Sequence, residues 1–238
     1  QIPNSAFYFI QTTGGSNSLN RIILPDHLKS IGSNAFYGCK YLTGALVIPE
    51  GVTEIRRGAF NGCTGLNGTL TLPSTLKKLG NRGEDDMQDE GTDYYGGVFQ
   101  GCKNLTGNLT LPDNLELIRG YCFAGCSGFY GALRLPTKLK RVGNCVFQGC
   151  SGLTGSLTIP QNITTIPSEA FHGCGFNGTL SLHDGIINIA NDAFADCHFR
   201  GELHLPKSLK VISDNAFGNN DFSGELKLPS SIGHIGSR

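Results

Sequence analysis

The chain contains no tryptophan, a single methionine and no long apolar run, and charged residues make up only 16% of its 238 residues. Lys plus Arg (19) equals Asp plus Glu (19), so the formal net charge is zero. A general nucleic-acid binder or a polybasic membrane binder needs an excess of basic residues, so both classes are excluded. Because no run of about 18 apolar residues exists, no segment is expected to span a membrane.

Glycine, by contrast, is abundant, with 34 of 238 residues. This is roughly twice the usual share of about 7%. The glycines have no period of three, which excludes a collagen triple helix. Apolar residues reach 39%, which excludes a disordered chain. The composition therefore indicates a folded chain that turns often.

The sequence repeats itself at intervals of 23 or 24 residues. In each period apolar residues lie three and six positions after a proline, then a small residue precedes Phe, and the period closes with Gly-x-Leu-x-Leu-Pro. The interval from Pro73 to Pro112 is 39 residues long and contains about 15 inserted residues. The prolines are Pro25, Pro49, Pro73, Pro112, Pro136, Pro160, Pro206 and Pro229, and His183 takes the same position once.

Each period predicts one short strand. The alternation Leu70-Thr71-Leu72 indicates a strand with one buried face, and Pro73 ends it because proline cannot donate to a sheet. One unit cannot bury its apolar face alone, but stacked copies can. We therefore predict a single solenoid over residues 1–238, with about nine coils and both ends inside a repeat. One strand per coil is expected to form a long parallel sheet, with the Phe residues filling the core opposite it.

The repeat resembles the BspA-like leucine-rich repeat family, most closely in residues 25–49, and the resemblance recurs along nearly the whole chain. The resemblance implies an α/β, right-handed leucine-rich-repeat solenoid with little helix. It also implies a secreted or cell-surface location, bacterial origin and adhesion to extracellular or host-surface proteins, including matrix proteins. The family offers no catalytic motif, cofactor or metal site to transfer.

Nine cysteines are present, and seven share one repeat position. Disulfides between adjacent coils and a buried column of free thiols are the two alternatives. Neighbouring strands lie about 4.8 Å apart, further than the Cβ–Cβ distance of about 3.8 Å in a disulfide, so free thiols are favoured. Asn220 takes this position once and is expected to supply the same turn hydrogen bond. The cysteine column is Cys39, Cys63, Cys102, Cys126, Cys150, Cys174 and Cys197.

Outward-facing strand positions form two columns that could bind a partner. The first outward column is Ala45, Thr69, Asn108, Ala132, Ser156, Thr179, Glu202 and Glu225. The second outward column is Val47, Thr71, Thr110, Arg134, Thr158, Ser181, His204 and Lys227. The alternative is that solvent-facing strand positions simply favour threonine. Candidate ligand-binding residues are Thr71, Thr110, Arg134, Thr158, His204 and Lys227, with Tyr94 and Tyr95 from the insertion.

Charge is distributed unevenly despite the neutral balance. The acidic loop insertion, residues 82–96, carries six acidic residues and one basic residue. A calcium site is one interpretation of the insertion, and a solvated loop is favoured over it. A broken basic column follows the first apolar position of each coil, and a solvated face is again the favoured interpretation. Its members are Lys29, Lys77, Lys78, Lys140, Arg141 and Lys210.

Catalysis requires several groups to converge in a pocket, whereas the titratable residues here are spread along a rod. The chain also lacks the sequence motifs of serine hydrolases, zinc proteases and phosphate-binding loops. We therefore predict a non-catalytic protein-binding module. The alternatives are a structural spacer, which holds other domains away from the cell surface, and a glycan-binding module.

Overall fold

The computed structural model describes residues 1–8, 20–81 and 96–237, and these residues form short strands joined by turns, with no helix among them. The sequence predicted an α/β fold with little helix, and the described residues contain strands but no helix. The strands are β1 (Ser30–Ile31), β2 (Leu46–Val47), β3 (Glu54–Arg56), β4 (Leu70–Thr71), β5 (Lys78–Asn81), β6 (Leu117–Ile118), β7 (Gly131–Ala132), β8 (Arg141–Val142), β9 (Leu153–Thr154), β10 (Leu157–Thr158), β11 (Thr165–Ile166), β12 (Leu180–Ser181), β13 (Asn188–Ile189), β14 (Arg200–Gly201), β15 (Val211–Ile212), β16 (Asp221–Phe222) and β17 (His234–Ile235).

The longest parallel ladders lie six residues after each proline. One contains β1, β3, β5, β6 and β8, and the other contains β11, β13, β15 and β17. Equivalent apolar residues of successive coils pair in register, as Ile31 does with Ile55. The buried side chains of these strands point into the core, while their polar neighbours face solvent.

The strand predicted at residues 70–72 is present as β4, but the long sheet is not built from these segments. Here the strands associate only in pairs, β2 with β4 and β10 with β12. Backbone bonds still join the coils, since Leu46 N donates to Thr69 O at 2.9 Å. Both kinds of strand are only two residues long in most coils. A strand that precedes the proline cannot be extended through it, because proline offers no N–H.

The ladder is interrupted between β8 and β11. Elsewhere the residue after the buried ladder residue donates to the preceding coil, as Gly143 N does to Ile118 O at 2.9 Å. Ala190 N makes the equivalent bond to Ile166 O, also at 2.9 Å. Pro167 occupies this position in the coil between them and has no N–H to donate. A single proline therefore divides the ladder in two.

A continuous stack of phenylalanine rings fills the core beside the ladders. Neighbouring rings lie 5.0 to 5.7 Å apart between centroids and are close to parallel. The stack continues across the insertion, because Phe60 and Phe99 are 5.7 Å apart. The predicted Phe core is confirmed. This phenylalanine column is Phe7, Phe36, Phe60, Phe99, Phe123, Phe147, Phe171, Phe194 and Phe217.

A second aromatic stack supports the C-terminal coils. Phe176 and Phe199 are stacked at 5.2 Å, and Phe222 continues the stack at 6.2 Å. Phe199 also meets Phe194 of the first column edge-on, at 78°. Earlier coils mostly place leucine here, so the C-terminal core has two aromatic columns where the N-terminal core has one.

The tight turn two residues after each Phe requires left-handed backbone. Gly149 has φ 69° at this position, and glycine adopts that conformation without steric cost. Asp196 and Asn219 hold the same position in later coils, each with φ 53°. These two residue types are the ones that tolerate left-handed backbone best after glycine, so the turn is preserved.

Candidate protein-binding surface

Both outward columns are exposed along their full described length. The residues that alternate with them, such as Leu46 and Leu157, are buried in most coils, whereas Leu203 is half-buried and Leu226 is 59% exposed in the last two. The prediction of which strand positions face solvent is therefore confirmed. The surface that these columns form is called the strand face below.

At its N-terminal end the strand face exposes apolar residues, with Arg21 and Asp26 beside them in one concavity. Ile23, 80% exposed, and Val47, 57% exposed, line one concavity together with Ala45. Ile23 stands two residues before Pro25, so it belongs at the head of the second outward column. Exposed apolar clusters of this kind mark interaction sites more often than isolated apolar residues do.

A second concavity continues the first toward the C-terminal end. Thr71, Thr110 and Arg134 line it, so the structure brings three of the predicted residues together. Glu50 lines both concavities and joins them into one groove. This strand-face groove is lined from one end to the other by Ile23, Val47, Glu50, Thr71, Thr110 and Arg134.

The charged residues that line the groove are Arg21, Asp26, Glu50, Asp113 and Arg134. Arg134 and Glu50 are oriented by neighbouring coils. The guanidinium of Arg134 forms an ion pair with Asp113, and both side chains remain largely exposed. Glu50 accepts bonds from Ser74 N and Ser74 Oγ, each at 3.0 Å. The backbone bond from Ser74 is the main reason that the pKa of Glu50 lies below its usual value. Glu50 is therefore a negative charge held by Ser74 where the two concavities meet.

The remaining predicted residues lie outside the groove. Thr158 is exposed on β10, one coil beyond Arg134 along the strand face. His204 Nε2 lies 3.8 Å from Glu202 Oε2, and Lys227 Nζ lies 3.1 Å from Glu225 Oε2. Each of these two side chains therefore lies near a carboxylate of its own coil.

Some surface residues were not identified from the sequence, and some predicted ones cannot be placed. Tyr94 and Tyr95 lie outside the described residues, as does most of the acidic insertion. Ile23 and Glu50 were missed, although the spacing to Pro25 was sufficient to place Ile23 in its column. Tyr130, 56% exposed beside Ala132, was also missed and puts an aromatic side chain at the rim of the strand face.

The cysteine column forms a row of equivalent hydrogen bonds. Each thiol donates to the carbonyl of the Phe in the preceding coil, at 3.0 or 3.1 Å. Asn220 takes over this bond in its coil, with Nδ2 lying 2.8 Å from Phe194 O. The free-thiol interpretation and the substitution of asparagine for cysteine are both supported by these contacts.

These thiols are poor nucleophiles. All nine cysteines are buried. Burial raises the pKa of Cys102, Cys150 and Cys197 to about 12 in each case. A thiol must be ionised and accessible to attack a substrate, and these are neither.

The repeat geometry agrees with what the sequence comparisons find. A model of the BspA type leucine rich repeat region matches residues 1–83, 92–177 and 130–238, in six copies. The chain belongs to the BspA-type leucine-rich repeat family. Proteins with leucine-rich repeats generally bind other proteins and are typically non-enzymatic scaffolds. No curated protein matches the chain.

One solved structure shows the same fold for this BspA-type chain. The leucine rich repeat protein of T. pallidum is 22% identical, over 76% of this chain and 73% of that one, with a TM-score of 0.53. A leucine-rich repeat protein from Bacteroides ovatus is 23% identical, over 90% and 67%, with a TM-score of 0.44. A leucine rich cell surface protein from Faecalibacterium prausnitzii is 18% identical, over 92% and 79%, with a TM-score of 0.42.

Neither a membrane-spanning helix nor a metal-binding cluster occurs in the described part of the chain. The described residues include no helix of sufficient length and apolarity to cross a bilayer. They also hold no group of three or more His, Cys, Asp or Glu side chains placed to bind a metal ion. The calcium interpretation concerns the acidic insertion, which lies almost wholly outside the described part of the chain.

Proposed function

We propose that the chain is a non-catalytic binding module of a bacterial cell surface, which takes an extracellular or host-surface protein along its strand face. The observation that carries the proposal is the strand-face groove. It has exposed apolar residues at one end, Ile23 and Val47, and an exposed arginine, Arg134, at the other. Apolar anchors and arginine are the side chains that dominate the energy of protein interfaces.

Family membership supports protein binding in general, and the groove supports this particular surface. Thr71 and Thr110 between the two ends offer hydroxyl donors and acceptors without long side chains that a ligand would have to order. Glu50 adds a charge whose position is already set by Ser74. A ligand that lays a small apolar side chain near Val47 and an acidic group near Arg134 fits this arrangement.

The test uses the purified chain and a panel of immobilised extracellular matrix proteins and glycans. The double variant Val47→Ser/Arg134→Ala removes one contact from each end of the groove. Both side chains are exposed, so folding is expected to be retained, which a thermal melt checks. Binding to a protein ligand is expected to weaken by about tenfold or more, since hot-spot residues contribute on that scale.

The matched control is Ile187→Ser/Arg141→Ala. It removes an exposed β-branched apolar residue and an exposed arginine from outside the strand face, and Ile187 is 42% exposed. The control is expected to bind a protein ligand as the unaltered chain does. Equal loss in both variants, or no loss in the first, contradicts the assignment to the groove. If no protein of the panel binds saturably, the spacer alternative is favoured, and saturable binding of glycans alone favours the glycan-binding alternative.

A further inference from the structure

The residues two to five positions after each of the repeat prolines Pro25 to Pro229, Pro167 excepted, and after His183 in the coil that lacks one, form a surface that we call the ladder face. The turn after the proline separates it from the strand face, as Leu139 N bonded to Pro136 O at 3.1 Å illustrates. Two acidic residues lie on the ladder face, Glu54 and Glu116. Seven cationic residues lie there, namely Lys29, Lys77, Lys78, Lys138, Lys140, Arg141 and Lys210. The excess is 7 − 2 = +5, in a chain whose total charge is zero.

Both acidic residues are already paired. Glu54 Oε1 is 2.7 Å from Arg56 Nε, and Glu116 Oε2 is 2.8 Å from Lys140 Nζ. Arg56 itself lies outside the ladder face, so the ion pair of Glu54 occupies none of the seven ladder-face cations. The positive excess of this surface is therefore not cancelled by its own carboxylates.

The cations are densest around β5, β6 and β8. Lys78 and Arg141 occupy the same register on β5 and β8, with Leu117 of β6 between them. Adjacent strands lie about 4.8 Å apart, which places these two residues about 10 Å apart along the ladder. The pKa of Glu116 is lowered first by its bond from Lys140 and then by the charges of Lys140, Lys77 and Lys138. Several ammonium groups thus surround a single carboxylate.

We propose that the ladder face around β5, β6 and β8 binds a linear sulfated polysaccharide. Lysine predominates here, and its ammonium is a point charge that suits monovalent sulfate groups without demanding a fixed geometry. The cations lie on alternate coils, those of β5 and β8, with Glu116 on the coil between them. Charges that recur at such intervals match a ligand with anionic groups repeated along its length. This surface is distinct from the strand-face groove, so the proposal does not depend on a protein ligand.

The same residues argue against other polyanions. Protein interfaces are depleted in lysine and enriched in aromatic residues, and residues 75–79, 114–118 and 138–142 contain no aromatic residue. Single-stranded nucleic acid is held by aromatic stacking, which these segments cannot provide. A lipid surface is bound by apolar side chains that insert beside the cations, and Leu117 is only partly exposed.

The experiment measures binding of the full chain to heparin, as a sulfated polysaccharide probe, over a range of salt concentrations. The triple variant Lys77→Gln/Lys78→Gln/Arg141→Gln should bind about tenfold more weakly at low salt, because three exposed charges are lost. The affinity of the unaltered chain should fall as salt rises, because exposed charges are screened. A thermal melt confirms that the variant is folded.

The matched control is Arg200→Gln/Lys207→Gln/Lys227→Gln, which removes the same net charge away from the ladder face. Its affinity for heparin should stay close to that of the unaltered chain. An equal loss of heparin affinity in both triple variants means that binding depends only on total charge, which overturns the proposal. Failure of the unaltered chain to bind heparin at low salt also overturns it. Equal affinity for desulfated heparin, for anionic lipid vesicles or for single-stranded DNA also overturns it. The groove variant Val47→Ser/Arg134→Ala should keep heparin affinity, which separates this test from that of the proposed function.

Discussion

At the residue scale, the position of the cysteine column accepts two different residue types that make the same hydrogen bond. Seven coils satisfy a buried carbonyl with a thiol, and the coil of Asn220 satisfies it with an amide. Asn220 does more than cysteine can, since Nδ2 also reaches Phe217 O and Oδ1 accepts from Phe199 N. What the position requires is a donor aimed at the preceding Phe carbonyl, because an unpaired buried carbonyl is costly.

The matched pair Asn220→Ala and Asn220→Cys tests this requirement. Alanine removes every side-chain bond and should lower the free energy of unfolding by about 1–3 kcal/mol. Cysteine restores the donor to Phe194 O, as in the other coils, so its cost should be smaller. Urea denaturation of both variants measures the difference. An equal cost in the two variants contradicts the role given to the donor.

Because all nine thiols are buried, they are expected to react with an alkylating reagent only when the chain unfolds. Because burial holds the pKa of Cys102, Cys150 and Cys197 at about 12, alkylation by iodoacetamide at mildly alkaline pH should be negligible in the folded chain. All nine should react in denaturant. Mass spectrometry of the alkylated chain counts them. Rapid labelling of a cysteine-column residue under native conditions contradicts the buried arrangement.

Asp196 predicts a specific dependence of stability on pH. The bond from Asn219 Nδ2 to Asp196 Oδ1, 2.7 Å, is the main cause of a lowered pKa, and His172 Nε2 at 2.8 Å contributes. A lowered folded pKa stabilises the fold above the unfolded value of about 3.9 and is lost as pH falls through the folded pKa. Asp196→Asn keeps a residue that tolerates the turn and should destabilise the chain at neutral pH.

Denaturation of both chains at neutral and strongly acidic pH measures this effect. The stability difference between the unaltered chain and Asp196→Asn should shrink toward the acidic limit, where Asp196 is protonated in both the folded and unfolded states. A difference that is the same at every pH means that the carboxylate charge does not contribute.

At the scale of elements, alternation of apolar and polar residues predicted β2, β4, β10 and β12, but the equally regular segments 109–111, 133–135, 203–205 and 226–228 form no strand. In β4, Leu70 is buried, Thr71 is exposed, and the following Leu72 is half-buried. The ladder strands contain a single buried residue such as Ile166, flanked by Thr165 and Pro167, so no period-two pattern marks them. Their pairing depends on backbone bonds between coils, which side-chain patterning does not encode.

The break at Pro167 yields a prediction for a neighbouring coil. Ala190→Pro removes the bond from Ala190 N to Ile166 O, 2.9 Å, at a position where Pro167 shows that a proline ring is accommodated. The cost should be about 1–3 kcal/mol, the price of one unsatisfied buried carbonyl. The amide of Ile187, which donates to Thr164 O at 2.8 Å, should lose hydrogen-exchange protection.

The reverse variant, Pro167→Ala, serves as the control. It restores a donor facing the coil of β8, so the amide of residue 167 should become protected from exchange. If Ala190→Pro leaves the exchange of Ile187 unchanged, the ladder does not depend on that donor, and another cause must divide β8 from β11.

Over the whole molecule, the repeat allows residues at one repeat position to be predicted as a column. It does not show which columns lie side by side on one surface. Thr71, Thr110 and Arg134 share one column, and the sequence identified them as a set. Glu50 stands after a proline, in a different column, and joins the groove only because the chain turns back toward the strand face. The ladder face likewise gathers its charge from several positions of the repeat, so the single basic column seen in the sequence showed only part of it.

Because the coils stack in one dimension, the loss of stability caused by a core substitution should be largest in the adjacent coils. Phe147 is fully buried between Phe123 at 5.4 Å and Phe171 at 5.6 Å, whereas Phe217 is only partly buried and stacks on one column neighbour, Phe194. Phe147→Ala should lower the free energy of unfolding by about 3–5 kcal/mol, because it leaves a cavity inside the stack. Phe217→Ala should cost clearly less. Because each coil contacts only its neighbours, hydrogen exchange in Phe147→Ala should rise most in the coils of Phe123 and Phe171, and a uniform rise along the chain contradicts nearest-neighbour coupling.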